Sequence, residues 1–189
     1  MQIDNSFLPL RGNYKNLLAY QKAECIYDIT FYFANTFLEK GDRTIDQMVQ
    51  AARSGKQNIV EGCAASTTSK ETEIKLINVA KASFQELLVY YEVFLRVRDL
   101  KQWSLQDPRY LQTRKVTCEH NDSAYYREAI KQRSAETIAN IAITLIHQED
   151  KMLLKYLEAI KAQFVQQGGI REEMTRARLN YRQSNPKAN

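Results

Sequence analysis

Residues that interrupt helices or cross-link chains are scarce in this sequence. Its 189 residues include six glycines and three prolines, so long uninterrupted helices are expected. The three cysteines, Cys25, Cys63 and Cys118, are widely spaced and odd in number. This arrangement fits neither a disulfide framework nor a CxxC metal site.

Long apolar runs are also missing. Residues 1–13 contain Asp4 and no apolar stretch of signal-peptide length. No later segment approaches the roughly 20 uncharged apolar residues that span a bilayer. We therefore expect a cytoplasmic protein with no membrane partner.

The motifs of common catalytic and metal sites are absent from the sequence. The two histidines, His120 and His147, do not occur in Glu-x-x-His or His-x-x-x-His spacing. No glycine-rich phosphate loop, Gly-x-Ser-x-Gly elbow or Cys-His pair is present. We therefore predict a protein that is not an enzyme and that binds no cofactor or metal.

Positive charge is in modest excess, with 27 Lys and Arg against 22 Asp and Glu and a formal net charge of +5. Such a balance favours an acidic partner such as RNA or DNA, because long-range attraction speeds the encounter. Many basic proteins gain only solubility from the same excess. Charge alone leaves both interpretations open.

Apolar residues recur at helical spacing along four long segments, which predicts an all-α protein. The predicted long helices run from after Asn13 to Gly41, from Arg43 to Cys63, from Thr68 to about Lys101, and from Ser134 to Gln167. Thr68 and Glu71 match a capping box at the start of the third helix. We expect an antiparallel up-down four-helix bundle.

Two further segments flank the fourth long helix. Residues 102–133 predict a long insertion with short helical pieces, and residues 170–182 predict a short suffix helix after Gly168-Gly169. The predicted domains are therefore a bundle at 1–167, with its insertion at about 102–133, and a suffix helix and tail at 168–189. Aromatic and basic residues alternate irregularly in the insertion. They fit packing onto the bundle better than a nucleic-acid surface, since they lack a regular spacing.

The first predicted helix carries two apolar stripes. One contains Leu18, Cys25, Ile26, Ile29, Phe33 and Phe37. The second, nearly opposite, contains Tyr20, Tyr27, Phe31, Ala34 and Leu38. Because a bundle needs only one stripe, the second predicts a homo-oligomer face at Tyr20, Tyr27, Phe31 and Leu38. The alternative is that the C-terminal segment covers it.

Two charged residues lie within apolar stripes. Lys56 is expected to lay its stem along apolar surface or to pair with a carboxylate. Glu149 is expected to pair with Lys22 or Lys56, or to lie near the mouth of the bundle, in preference to serving as a metal ligand or proton carrier.

The second and third helices carry a recognisable pattern. Residues 47–62 read Gln-Met-Val-Gln-Ala-Ala-Arg-Ser-Gly-Lys-Gln-Asn-Ile-Val-Glu-Gly, and the third helix contains Ala-x-x-Ser-x-x-Glu-Leu. These segments resemble the bundle proteins encoded in 23S rRNA intervening sequences. The matching signature residues are Asn58, Glu61, Gly62, Ala80, Ser83 and Glu86. Short polar residues among them are expected to fix helix register by hydrogen bonds.

The resemblance implies an antiparallel four-helix bundle that assembles into a ring-like homo-oligomer, commonly a pentamer, without known catalytic activity. Relatives of that family include the accessory variability determinant of diversity-generating retroelements, a basic pentamer that binds nucleic acid and a reverse transcriptase. The chain departs from the family pattern at Gly55-Lys56, where an apolar residue or proline is usual. Its insertion and suffix also exceed the usual length, as in a longer subgroup.

Two functions remain open from the sequence. The first is a nucleic-acid-associated accessory protein, in which an oligomer multiplies a weak basic patch. The candidate contacts for RNA or DNA are Arg53, Lys56, Arg171, Arg176, Arg178 and Arg182. The second is a scaffold that recruits another protein through the insertion and suffix helix. A metal or small-molecule site around Glu149 is a weaker third.

Overall fold

A computed structural model describes residues 14–184, and every regular element in that range is helical. After a 3-10 turn at Tyr14–Asn16, the helices are α1 (Leu18–Phe37), α2 (Arg43–Ala65), α3 (Lys70–Val97), α4 (Pro108–Glu119), α5 (Ser123–Ala129), α6 (Ala135–Gln167) and α7 (Ile170–Ser184). The prediction of an all-α protein is confirmed. The predicted N-cap Asn13 and the end of the predicted tail, 185–189, lie outside the described residues.

Polar side chains cap the starts of most helices. The Asp42 carboxylate accepts a hydrogen bond from Thr44 N at 2.8 Å, and Ser134 Oγ accepts one from Thr137 N at 3.3 Å. Each bond satisfies a backbone N–H that has no partner within its own helix. The predicted starts of α2 and α6 are thereby confirmed.

The predicted capping box of α3 is wrong by one residue. Ser69, not Thr68, caps the helix, because its hydroxyl accepts from Thr72 N at 3.2 Å. Glu71 does not reach back to the cap, since its carboxylate binds Lys75 Nζ at 2.7 Å. Local spacing identified the correct turn but not the residue that closes it.

Two predicted helix ends are also too long. The first helix stops at Phe37 because Leu38 is extended, and Gly41, with φ of 93°, lies in the turn that leads to Asp42. The third stops at Val97, since Asp99 takes a φ of 51° and Leu100 N closes the turn on Leu95 O at 2.9 Å. Both ends are set by turns after the helix.

Four long helices share one core. The packed pairs are α1 with α2, α2 with α3, α3 with α6, and α6 with α1, while α4 packs on α6 and α5 on α1. The ring of Phe33 lies at the centre, 5.0 Å from that of Tyr91 and 4.7 Å from that of Phe94. Tyr91 is fully buried, and its hydroxyl donates to Thr30 Oγ1 at 3.0 Å. The core therefore buries a phenol without leaving it unpaired.

The predicted core stripe of α1 needs one correction. Leu18 was expected to face the core, but it is 57% exposed, and the preceding Leu17 packs against the core in its place. Cys25, Ile26, Ile29 and Phe33 are buried as predicted. The described helices include none that is long and apolar enough to cross a membrane.

Candidate functional site

The signature residues of α2 and α3 form an oriented chain of hydrogen bonds. Asn58 Nδ2 donates to Ser54 O at 2.8 Å and to Ser54 Oγ at 3.2 Å. Ser54 Oγ and Ser83 Oγ are 2.9 Å apart, and Ser83 Oγ donates to Val79 O at 3.0 Å. Because the single proton of Ser83 is used on Val79, Ser54 must be the donor between the helices. This bond ties α2 to α3 at one register.

Small residues of the signature allow the two helices to approach closely. A Cβ at Gly62 would fall 2.9 Å from Ile77 Cδ1, and one at Gly55 would fall 2.6 Å from the ring of Phe84. Ala80 is fully buried. Gly55, where the chain departs from the pattern it resembles, is thus the tighter of these two glycine contacts.

The two acidic signature residues, unlike the small ones, do not lie between the helices. Glu61 and Glu86 are both exposed, and Glu61 is paired only with Gln57 of its own helix, at 3.4 Å. Neither joins α2 to α3. The small signature residues therefore pack between α2 and α3, whereas the acidic ones face solvent.

The predicted oligomer face on α1 is largely covered. Tyr20, Tyr27 and Leu38 are half-buried against the core, and Phe31 alone of the four is mostly exposed, at 53%. The cover does not come from the C-terminal segment, as the alternative prediction had it. The ring of Tyr14 lies 4.8 Å from that of Tyr20, and α7 packs along no other described helix.

Lys56 contributes to that cover in an unpredicted way. Its Nζ lies 4.4 Å from the centre of the Tyr27 ring, a cation–π contact between α2 and α1. No ion pair of Lys56 occurs within residues 14–184. The predicted stem packing along apolar surface is thus combined with an aromatic partner for the ammonium group.

Two buried charged residues lie where α1, α4 and α6 meet. Lys22 Nζ donates to the carbonyl of Thr117 and, at 3.4 Å, to that of His120, at the carboxyl end of α4. A cation at that end of a helix is favourable, because the unpaired carbonyls carry partial negative charge. Burial lowers the pKa of Lys22, and the neighbouring Cys25, Cys118 and Glu149 oppose this in part.

Glu149 on α6 is the second buried charged residue. Its side chain is fully buried, and neither carboxyl oxygen has a hydrogen-bond partner among the described atoms. Burial raises the pKa of Glu149 well above its ordinary value, and the nearby positive charge of Lys22 opposes this only in part. The predicted neighbour Lys22 is therefore present as a charge but not as a hydrogen-bond partner, and Lys56 is engaged elsewhere.

A third polar cluster, not predicted from the sequence, joins α2, α3 and α6. The buried carboxylate of Glu73 accepts from Tyr156 Oη at 2.7 Å and from Lys70 Nζ at 3.1 Å. Cys63 Sγ lies 3.8 Å from the same Tyr156 oxygen. Burial raises the pKa of the Cys63 thiol, so the group stays protonated and is a poor nucleophile. The spacing of Lys70 and Glu73 on one helix face was the only sequence signal for this cluster.

Two of the aromatic side chains in the insertion at 102–133 are buried. Trp103 and Tyr126 are buried, whereas Tyr125 is exposed and stacks on His120 at 3.9 Å. This favours the predicted packing onto the bundle over a base-stacking surface. Within residues 14–184 no group of three or more His, Cys, Asp or Glu could hold a metal ion.

Positive charge is concentrated at the C-terminal end of the described chain. Residues 161–184, hereafter the C-terminal arm, comprise the end of α6 and all of α7. The arm holds five basic residues, Lys161, Arg171, Arg176, Arg178 and Arg182, and two acidic ones, Glu172 and Glu173, a net charge of +3 out of the chain's +5. Beyond the buried Ile160, residues 161–166 of α6 are exposed, and so are the four arginines. The arm thus extends beyond the packed core.

The other two predicted nucleic-acid contacts, Arg53 and Lys56, lie on α2. Arg53 is exposed on α2, whereas Lys56, one turn further along, is held over Tyr27. Of the two candidate contacts on α2, only Arg53 is therefore exposed, whereas the arm carries four exposed arginines. Comparisons with known protein families, with curated proteins and with solved structures found no match for this chain.

Proposed function

We propose that this chain is a non-enzymatic, self-associating four-helix bundle that binds nucleic acid through its C-terminal arm. The observation that carries the proposal is the concentration of arginines on α7, a helix that packs along no other described helix. Arginine binds phosphate in a bidentate manner, and exposed aromatic side chains stack on bases. Tyr181 is such an aromatic residue on the same helix.

Two further features support this proposal. The packing of α1 on α2, α2 on α3, α3 on α6 and α6 on α1 closes a ring of neighbours, as an up-down bundle of four helices requires. An exposed apolar stripe on α3, with Val89, Val93 and Val97 at four-residue spacing, offers a surface for another copy. Several arms in one oligomer would act together, because linked weak sites bind far more tightly than one.

The direct experiment measures binding of labelled RNA and DNA by fluorescence anisotropy at two salt concentrations. One variant changes the four arginines of α7 to glutamine. A matched variant changes Lys40, Arg43, Arg96 and Arg114, which are exposed on other elements, in the same way. Both variants lose the same net charge, so a difference between them reports position.

We expect the arm variant to lose most of its affinity and to show a shallower dependence on salt, since each lost phosphate contact lowers the slope by about 0.9 in duplex DNA. The matched variant should bind nearly as well as the unaltered protein. Equal losses would show that net charge alone attracts nucleic acid. Negligible binding at low salt would refute the proposal.

A protein partner is the second candidate function. It is favoured by the apolar residues exposed on the arm beside its arginines, Met174, Leu179 and Tyr181. A scaffold of this kind would keep its activity when the arginines are neutralised, and it would lose it when the apolar residues become polar.

A further inference from the structure

A cleft of about 470 Å³ lies between the central insertion and α6. Its walls come from α4, α5 and α6, together with Trp103 in the link before α4 and with Ile130 and Arg133 in the link before α6. Most of the surface that lines it is apolar, with Tyr126, Ile130 and Ile141 among the lining residues. Sites for small molecules commonly have about 300–1,000 Å³ and such a lining. The cleft is built from residues other than those of the C-terminal arm.

The walls of the cleft are held in place by buried hydrogen bonds. Asn140 Oδ1 accepts from Trp103 N at 2.8 Å, and Asn140 Nδ2 donates to Lys101 O at 2.9 Å. The link that carries Trp103 is thereby fixed to α6. Tyr126 Oη donates to His120 O at 2.9 Å, which fixes α5 to the end of α4. Because these bonds fix the walls relative to one another, binding would need little rearrangement.

The two arginines that line the cleft differ in how their charge is balanced. Arg109 lies 5.0 Å above the ring of Trp103 and pairs with Asp107 at 2.9 Å and with Glu136 at 3.3 Å. Arg133 makes no ion pair within residues 14–184, and its Nε donates to the carbonyl of Ala129 at 3.3 Å. The rim of the cleft therefore presents one uncompensated guanidinium group.

Trp103 contributes apolar ring surface to the wall of the cleft. Its Nε1 is buried and does not open onto the cleft. An apolar cleft with one uncompensated cation at its rim is complementary to a flat apolar molecule with a single anionic group.

We propose that this cleft binds a small planar organic anion, with its rings against Trp103 and Ile141 and its carboxylate or sulfonate on Arg133. A nucleotide fits less well, since the apolar walls leave the hydroxyl groups of a ribose unpaired. This binding is independent of the nucleic-acid proposal, because none of the lining residues belongs to α7.

Trp103 is the single tryptophan of the chain, so its fluorescence reports on the cleft directly. The probe is 8-anilinonaphthalene-1-sulfonate, a planar aromatic sulfonate. We expect saturable binding in which tryptophan emission falls and probe emission rises by energy transfer. The uncharged N-phenyl-1-naphthylamine should bind more weakly, and adenosine monophosphate should not compete.

Variants separate the cleft from other apolar surfaces. Arg133→Gln should weaken binding of the sulfonate about tenfold, the loss of one charged contact worth about 1.4 kcal/mol, and should leave the uncharged probe unaffected. Ala129→Phe should block both probes by filling the cleft. Arg114→Gln removes an exposed arginine of α4 that does not line the cleft and is the matched control.

Circular dichroism of each variant will show whether it is folded. Because Arg133 is exposed, its substitution tests the proposal even if Ala129→Phe does not fold. Binding without energy transfer from Trp103 would place the probe elsewhere and overturn the proposal. The same conclusion follows if Arg133→Gln and Arg114→Gln bind the sulfonate equally well.

Discussion

The ring of Phe84 on α3 lies directly against the backbone of Gly55 on α2. A Cβ at position 55 would fall 2.6 Å from Phe84 Cζ, with two more ring atoms at 2.7 and 2.8 Å. Phe84 is fully buried, so its ring cannot move without displacing its neighbours. The two helices therefore approach as closely as a glycine permits.

This contact predicts that Gly55→Ala destabilises the protein, although alanine is the better helix former by about 1 kcal/mol. Overpacking of about 1–3 kcal/mol should exceed that gain and lower the free energy of unfolding in urea by about 1 kcal/mol. Gly62→Ala should cost less, because its nearest neighbour is the terminal methyl group of Ile77. Adding Phe84→Leu should relieve the clash, and strictly additive effects would contradict this explanation.

Glu149 predicts a distinctive dependence of stability on pH. Burial raises its pKa well above 4.5, so the folded protein keeps the proton at pH values where the unfolded chain has lost it. The free energy of unfolding should therefore fall as pH rises above about 4.5, by at most about 1.4 kcal/mol per pH unit, until the raised pKa is passed. Glu149→Gln should abolish this slope and stabilise the protein at neutral pH.

Urea unfolding of both proteins from acid to neutral pH measures the effect. Lys22 makes the free energy of unfolding rise with pH, because burial lowers its pKa. This opposite slope occurs only between that lowered pKa and 10.5. Glu158→Gln, at an exposed position of the same helix, is the control and should leave the profile unchanged. If the free energy of unfolding of Glu149→Gln depends on pH in the same way as that of the unaltered protein, the Glu149 carboxyl group is charged in the folded protein.

The valine stripe of α3 predicts where copies of the chain meet. Val89 and Val97 are 56% and 61% exposed, so glutamate at both positions should separate the subunits with little cost to a single folded chain. Light scattering measures the mass. Val165→Glu, 82% exposed on the C-terminal arm, is the control.

Phe31→Glu tests the α1 face that the sequence predicted. If it alone separates the subunits, copies meet on α1 through the one residue of that face that is mostly exposed. If the unaltered protein is a monomer, the proposed self-association is wrong.

The ranges of the helices were predicted from the sequence more accurately than the contacts between helices. The ranges of α2 and α6 agree with prediction within two residues, because helical periodicity and N-caps such as Ser134 are local features. The second stripe of α1 was found correctly, but its covering was not. That covering includes Lys56 of α2 over the ring of Tyr27, a contact between helices that spacing within α1 does not reveal.

The candidate sites show the same division. The arginines of α7 could be recognised from composition, since their charge is a property of the sequence. The cleft beside Trp103 could not, because its walls come from three helices and two links that only tertiary contacts bring together. The hydrogen bond between Lys22 and Thr117 is another contact of this kind, because 95 positions separate the two residues in the chain.

Side-chain periodicity and composition were sufficient to predict an all-helical protein, the approximate ranges of its long helices, and a basic C-terminal end. These properties follow from side-chain spacing and charge within single helices. Three other properties are visible only in the packed structure. Glu149 is buried with no hydrogen-bond partner among the described atoms, three of the four residues of the α1 face are partly buried, and a cleft opens beside Trp103. Each of these depends on which helices pack together, and packing is fixed by the shape of the whole core.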